Sequence, residues 1–424
     1  MVASDANPTP QDGERAFVAV ASAMLAAQTL TAFAWQTIPV LAPAASASYG
    51  IPDEHIGFLT SVVYLFAMVS AVIGGSMATR FGAITVSQRA LLCCAIGALL
   101  FGIGSYWSII LVGVLIGCGY GPPTPASSQV LARVTPPRLT NVVFSIKQTG
   151  IPLGGVLAGA TVPWLERLWG WQIAAFAVTL TCVVFAFALQ PMRRVYDIEA
   201  KLNAHEPTPR LLDFIRPVGE VWRRPQLRRL ALASTFFSAT QGSLSVFVVV
   251  YGVNHLHLSL VEAGALGSLL ALSGIFGRIA WGIIAEMTRR PRQVLLGFAI
   301  SMTAGLLALA LAKPSWPLIA YTGLVVFLGL TAISWTGVYV AEIARLAPAG
   351  RAGEITGGTV VFTFAGPLIS PALFSIALLL TNSYAWGFGL LAVGTFAAIF
   401  LMIQVLRGDP DVEPTAQPDQ RPTS

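Results

Sequence analysis

Apolar stretches long enough to span a bilayer alternate along this chain with short polar segments, and that alternation predicts its elements. A helix needs about 20 largely apolar residues to cross a membrane. Twelve stretches meet that need. They lie near 17–40, 57–78, 86–104, 107–131, 141–163 and 171–190 in the first half, and near 229–252, 262–285, 293–312, 316–343, 355–380 and 384–406 in the second. The prediction is an all-α membrane protein with twelve transmembrane helices.

The polar positions set orientation and divisions. Segments after even-numbered spans hold Arg80, Arg133, Arg138, the run from Arg193 to Arg228, Arg289, Arg290, Arg292, Arg345 and Arg351. Those after odd-numbered spans hold only Arg167 and Lys313. Lys and Arg gather on the cytoplasmic side of a membrane protein, so both termini and the long middle segment are expected there. The chain then divides into a cytosolic tail (1–16), a first six-helix bundle (17–190), a cytoplasmic linker (191–228), a second bundle (229–406) and a disordered cytosolic tail (407–424). The linker carries Pro207, Pro209 and Pro217 and predicts a short surface helix near Leu211 to Trp222. The first sixteen residues lack the basic start, short apolar core and small-residue cleavage site of a secretory signal, so an uncleaved amino terminus is expected.

Composition agrees. The 424 residues are 55% hydrophobic and only 10% charged, against about 25% charged in soluble domains. Because the cations sit in short segments between apolar spans, topology accounts for the basic pI near 9.3, and no nucleic-acid partner is expected. Cys93, Cys94, Cys118 and Cys182 all fall in apolar segments without disulfide or metal-ligand spacing. His55, His205, His255 and His257 all fall in loops, which argues against a histidine proton relay. Neither a metal nor a cofactor is expected. An enzyme is disfavoured because no nucleophile, base and orienting group stand together.

The halves repeat. Ala132-Arg133-Val134-Thr135-Pro136 closes span four and Ala344-Arg345-Leu346-Ala347-Pro348 closes span ten. Gln28 and Gln241 lie mid-way along spans one and seven, Trp171 and Trp386 open spans six and twelve, and Gly75-Ser76-Met77-Ala78-Thr79 and Gly282-Ile283-Ile284-Ala285-Glu286 close spans two and eight. Four matches in order at one offset of about 210 residues predict a duplicated six-plus-six bundle, and such repeats are a transporter signature.

Two cations interrupt the apolar pattern. Lys147 lies in span five and Arg278 in span eight, while Glu262, Glu286, Glu342 and Glu354 all sit near span ends. A cation in hydrocarbon costs at least about 2.5–3.5 kcal/mol, so such residues normally face a watery cavity and mark a substrate route. At 1.5 Å per residue both lie roughly 12 Å from the inner end of their spans. Two readings stay open. Either both face water and await an anion, or Lys147 snorkels to the interface and Arg278 caps a helix end or pairs with Glu286 or Glu342. Gln28, Gln148, Gln241, Tyr64, Tyr120 and Trp335 are candidate neutral groups for the same site. In span four, Gly119-Tyr120-Gly121-Pro122-Pro123-Thr124-Pro125 predicts a bend or break at mid-depth, because prolines remove backbone donors.

With these residues in view, the chain resembles the major facilitator superfamily over all but its tails. The family's loop signature, Gly-x-Leu-Ala-Asp-Arg-x-Gly-Arg, is matched by Gly75-Ser76-Met77-Ala78-Thr79-Arg80-Phe81-Gly82-Ala83, with Thr79 in place of the acid and Ala83 in place of the last basic residue. The second copy, Gly282-Ile283-Ile284-Ala285-Glu286-Met287-Thr288-Arg289-Arg290, keeps the acid as Glu286. The resemblance implies a cytoplasmic gate, for which Arg80, Glu286, Arg289, Arg133 and Arg345 are the candidates. Lys147-Gln148-Thr149-Gly150-Ile151-Pro152-Leu153-Gly154-Gly155 resembles in part the Gly-Pro element of span five in the family's antiporters, and its glycines predict close packing of two helices. Gly277-Arg278-Ile279-Ala280-Trp281-Gly282 is similar to the Arg-x-x-x-Gly stretch by which the family's oxalate, monocarboxylate and nitrate porters hold an anion. Spans five and eight are neighbours across the two halves in that fold, so Lys147 and Arg278 would share one cavity.

The two cations and the resemblance together predict a secondary transporter of a small organic anion, a mono- or dicarboxylate, working by alternating access; a monomer is expected, and the Ala-rich, short-looped build points to a bacterial inner membrane. No phosphate-binding loop points to ATP as the energy source, and proton symport, anion exchange and facilitated diffusion all remain open. The competing readings are an exporter of drugs or amphipathic metabolites, a transporter-derived sensor and a membrane enzyme.

Overall fold

The computed structural model describes residues 10–50, 52, 55–104, 108–134, 146–197, 211–313, 315–347 and 352–407, and the described residues are helical almost throughout. In the first half the helices are α1 (Pro10–Tyr49), α2 (Ile56–Phe81), α3 (Ala83–Ile103), α4 (Ile109–Tyr120), α5 (Pro123–Val134), α6 (Gly150–Trp169), α7 (Trp171–Ala188) and α8 (Gln190–Tyr196). The second half holds α9 (Leu211–Arg223), α10 (Pro225–Asn254), α11 (Leu260–Thr288), α12 (Pro291–Leu311), α13 (Leu318–Ala332), α14 (Thr336–Leu346), α15 (Ala352–Thr381) and α16 (Tyr384–Arg407). Spans four and ten are each built from two helices, α4 with α5 and α13 with α14. The predicted twelve spans in two six-helix halves are therefore the observed architecture.

Ten of the spans are long and apolar enough to cross a membrane by length and composition alone. The other two are α2, whose apolar stretch is Ile56–Ala71, and α6, which is rich in glycine and carries Glu166 and Arg167 near its end. The outward faces of the bundle are greasy. On α7, Leu180, Val184 and Phe187 follow helical spacing and are 63%, 59% and 69% exposed. Such a stripe is stable against lipid chains and unstable against water.

Local chemistry sets the helix ends. Gly82, at φ 93°, makes the tight turn between α2 and α3 that a residue with a Cβ rarely adopts. Ser259 and Glu262 form a reciprocal capping box at the start of α11. Proline opens α10 and α12, where its missing N–H is harmless.

The two halves meet through α6 with α11, α2 with α15, and α1 with α10. Glycine permits the closest approaches. A Cβ on Gly159 would run into the Gly264 carbonyl, and one on Gly57 into the backbone of Pro371. These contacts lie towards the end of the bundle opposite the arginine-rich segments. The halves are thus packed together at the far face. Along α11, Phe276, Ile279, Ile283 and Met287 follow helical spacing and are 62%, 57%, 52% and 78% exposed, a second outward apolar stripe. Helix α9 lies against α15, with Pro217 over Gly358 and Trp222 stacked on Phe362 at 6.1 Å.

Candidate functional site

Both broken spans put a kink at mid-depth, for different reasons. In span four, Pro122, Pro123 and Pro125 bring no N–H groups to the junction, so α4 ends at Tyr120 and regular bonding resumes with Ala126 N–H donating to Pro122 O (3.1 Å). Span ten breaks between Ala332 and Thr336 without any proline. There the freed carbonyls are taken by α11: Trp281 Nε1 donates to Leu330 O (2.8 Å) and Arg278 Nε to Ile333 O (3.0 Å). Arg278 and Trp281 are three residues apart and so share one helix face. Ser334 Oγ adds bonds to Gly274 O and Gly329 O, both 3.1 Å.

Each sequence-predicted cation is anchored beside one of these breaks. Lys147, 3% exposed in the turn leading into α6, donates through Nζ to Thr124 O and Ser128 Oγ, both 2.7 Å away on α5. It points into the bundle, which rules out snorkelling. Arg278 reaches across the halves, where its Nη1 donates to the Gln148 carbonyl (2.9 Å). Among the described residues Arg278 has no carboxylate within salt-bridge reach, and its Nη2 meets no acceptor.

Pairing of Arg278 with Glu342 is excluded, because that carboxylate is fully buried between two other arginines. Arg292 Nε sits 2.6 Å from Glu342 Oε1, and Arg345 grips both carboxylate oxygens at 2.8 Å. Pairing with Glu286 is not made either, since Glu286 is exposed at the basic end and forms no ion pair with Arg278.

The candidate neutral groups divide into three sets. Gln28 donates to Thr124 Oγ1 (3.3 Å) and Gln148 Oε1 (3.5 Å), joining α1 to the anchorage of Lys147. Tyr64, Tyr120 and Gln241 line a cavity of ≈ 50 Å³ between the halves. At about 10–15 Å³ per water on this measure, it holds a handful of waters or a cargo of a few heavy atoms. Arg278 does not itself line this space, but the Ile333 carbonyl it holds belongs to a lining residue. Trp335 is 1% exposed and does not line the cavity; its indole Nε1 donates to Gln241 Oε1 (2.9 Å).

Among the gating candidates, Arg80 and Arg289 are exposed, and Arg80 lies over the Phe81 ring at 5.6 Å. Arg345 belongs to the Glu342 clamp. The side chain of Arg133 lies outside the described residues.

Three features carry no sign that the sequence alone displays plainly. Gln36 and Ser245 line the cavity, and the one available signal for Gln36 is its position eight residues after Gln28, on the same broad face of a helix. The Arg292–Glu342–Arg345 clamp needs tertiary structure, because fifty residues separate Arg292 from Glu342. So does Asp197, which is 3% exposed and accepts from Ile84 N (3.1 Å), Thr85 N (2.8 Å) and Thr85 Oγ1 (2.7 Å). It caps the start of α3 on the loop where Thr79 replaces the family's acid.

Known proteins share this architecture. The chain is 25% identical over 338 residues to a probable nitrate/nitrite transporter, NarK2, of Mycobacterium tuberculosis, covering 77% of this chain and 80% of that one. It is 20% identical to a hexuronate transporter of Bacillus subtilis (87% and 89% covered) and 22% identical to the glucose transporter GlcP of Staphylococcus epidermidis (82% and 84% covered). Its fold matches a crystal structure of a bacterial homologue of the human lysosomal transporter Spinster, with a TM-score of 0.70 at 16% identity over 92% of this chain and 97% of that one. It also matches a peptide transporter, POT, in complex with sulfate, with a TM-score of 0.69 at 18% identity over 92% and 94%. The family model of the Major Facilitator Superfamily matches residues 24–371, and the chain is a member of that superfamily, a multi-pass membrane transporter and not an enzyme.

Proposed function

We propose that this transporter carries a small organic anion, a mono- or dicarboxylate, by alternating access, with its two halves rocking about the central cavity. The observation that carries this reading is Arg278. Its Nε and Nη1 are held by backbone carbonyls, no carboxylate among the described residues neutralises it, and the carbonyl that holds its Nε belongs to Ile333, a residue lining the cavity between the halves. A planar guanidinium presents a fork that suits a carboxylate. Anions also figure in the names of two relatives, the hexuronate and the probable nitrate/nitrite transporter. The basic end is assigned to the cytoplasm of a bacterial inner membrane by the excess of arginine there, and the unit that works is a monomer.

Thermal shift of the purified protein tests the sign of the cargo. Acetate, glycolate and oxalate at 100 times their Kd each stabilise by about 2.7 kcal/mol if they bind only the folded state, while choline and glucose leave the transition unmoved. Uptake in proteoliposomes then tests the site. Transport that continues unaltered in the double variant Lys147→Ala, Arg278→Ala removes the assignment, and stabilisation by cations instead of anions points to an exporter of amphipathic compounds.

A further inference from the structure

Two glutamines line the cavity, Gln36 from α1 in the first half and Gln241 from α10 in the second. The direction of a side-chain amide is usually ambiguous, since its oxygen and nitrogen look alike. Here each partner removes the ambiguity. Gln36 pairs with the Ile151 carbonyl at 3.2 Å, and a carbonyl can only accept, so Gln36 must turn its NH2 towards α6 and keep its oxygen free. Gln241 pairs with the Trp335 indole at 2.9 Å, and an indole N–H can only donate, so Gln241 must turn its oxygen inward and keep its NH2 free.

The surroundings fix both poses. Trp335 is locked between Phe237 at 5.5 Å and Tyr339 at 5.3 Å. The Gln36 amide lies over Gly155, where a Cβ would approach its oxygen to 2.6 Å. Among the described residues neither Gln36 Oε1 nor Gln241 Nε2 has a partner, and neither is sealed from open space. The cavity therefore offers one fixed acceptor from the first half and one fixed donor from the second.

We propose that Gln36 and Gln241 are the specificity-determining pair of this transporter, with Trp335 as the positioning residue for Gln241, and that together they select small carboxylates bearing a hydroxyl over equally small ones without it. The inference rests on the anion reading above and sharpens it. The cargo hydroxyl donates to Gln36 Oε1, and a cargo oxygen accepts from Gln241 Nε2. A site built to bond a hydroxyl discriminates strongly against the analogue that lacks it, because its own polar group is then left unpaired.

Glycolate and acetate differ by that one hydroxyl, and initial rates of their uptake into proteoliposomes make the test. Wild type is expected to favour glycolate by about tenfold or more in Vmax/KM. Gln36→Leu brings the two acids within about twofold of each other in Vmax/KM, the preference for glycolate being lost. Trp335→Phe raises KM for both acids by about tenfold with Vmax nearly constant, Gln241→Leu does the same, and the double variant is no worse than either single one. Equal handling of the two acids by wild type, a glycolate preference that survives Gln36→Leu, or an additive effect of Trp335→Phe on Gln241→Leu would overturn the proposal. Should Trp335→Phe fail to fold, Gln241→Glu replaces it: the carboxylate still accepts from the indole but turns an acceptor to the cavity, so both acids are expected to lose uptake in a folded protein, and unchanged uptake would count against the pair. Uptake of neither acid by wild type is a different failure, that of the anion reading itself.

Discussion

The breaks in spans four and ten occupy equivalent positions in the two halves, yet different forces make them. In span four the chain carries its own break, because Pro122, Pro123 and Pro125 withhold donors whatever surrounds them. In span ten nothing local forbids a continuous helix. The break there persists because Trp281, Arg278 and Ser334 satisfy the carbonyls it frees. The cations differ in step. Lys147 ties α6 to α5 within one half, whereas Arg278 ties α11 to span ten in its own half and to Gln148 in the other. A lysine that stays inside its half can ride through a rocking motion unchanged. An arginine that spans the halves would have to exchange its bond to Gln148 in such a motion.

That contrast breaks first at Arg278. Arg278→Ala is expected to lower cargo affinity by about 10- to 100-fold, the loss of one charge-assisted hydrogen bond of about 1.5–3 kcal/mol, read by isothermal titration. Arg278→Lys should recover little, since one ammonium cannot serve Ile333 O, Gln148 O and the cargo in the fork geometry. Lys147→Met sharpens the comparison from the other side. It keeps the bulk and removes the charge beside Thr124 and Ser128, and it should lower the melting temperature while reducing affinity less than Arg278→Ala does. Equal losses of affinity at the two positions would mean that the cargo touches both cations.

The breaks themselves supply the smaller effects. Trp281→Phe and Ser334→Ala each remove a donor from span ten and should cost about 1 kcal/mol of stability apiece in a denaturation series. Replacing Pro122 and Pro123 together by alanine should leave stability unchanged or slightly raised, because a helix gains propensity there, while slowing transport a few-fold if the bend in α4–α5 is used in the motion. A stability loss for the proline pair as large as for Trp281→Phe would show that the span-four break also depends on tertiary contacts.

Much of the candidate site is legible in the sequence. Lys147 and Arg278 stand out because a cation in hydrocarbon has few harmless explanations, and Gln241, Tyr64 and Tyr120 because polar groups within a span are scarce. Sequence puts Trp335 with the cavity groups because an aromatic residue gives no sign of which way it faces; its burial makes it a support for Gln241 instead. The loop motif singles out Glu286, yet the acid held between arginines is Glu342, because only the folding of α12 against α14 brings Arg292 to it.

What the sequence determined by itself was whatever depends on local free energy: twelve spans from hydropathy, a break from three prolines, and the duplication visible as a repeated offset. Tertiary structure alone decided which groups meet across tens or hundreds of residues. It set the closing of the far face by glycine against backbone, the break in span ten, the capping of α3 by Asp197 and the direction of each cavity amide. Those outcomes rest on pairings between distant segments, where a donor finds an acceptor only after the helices have packed, and no local pattern encodes which partner will arrive.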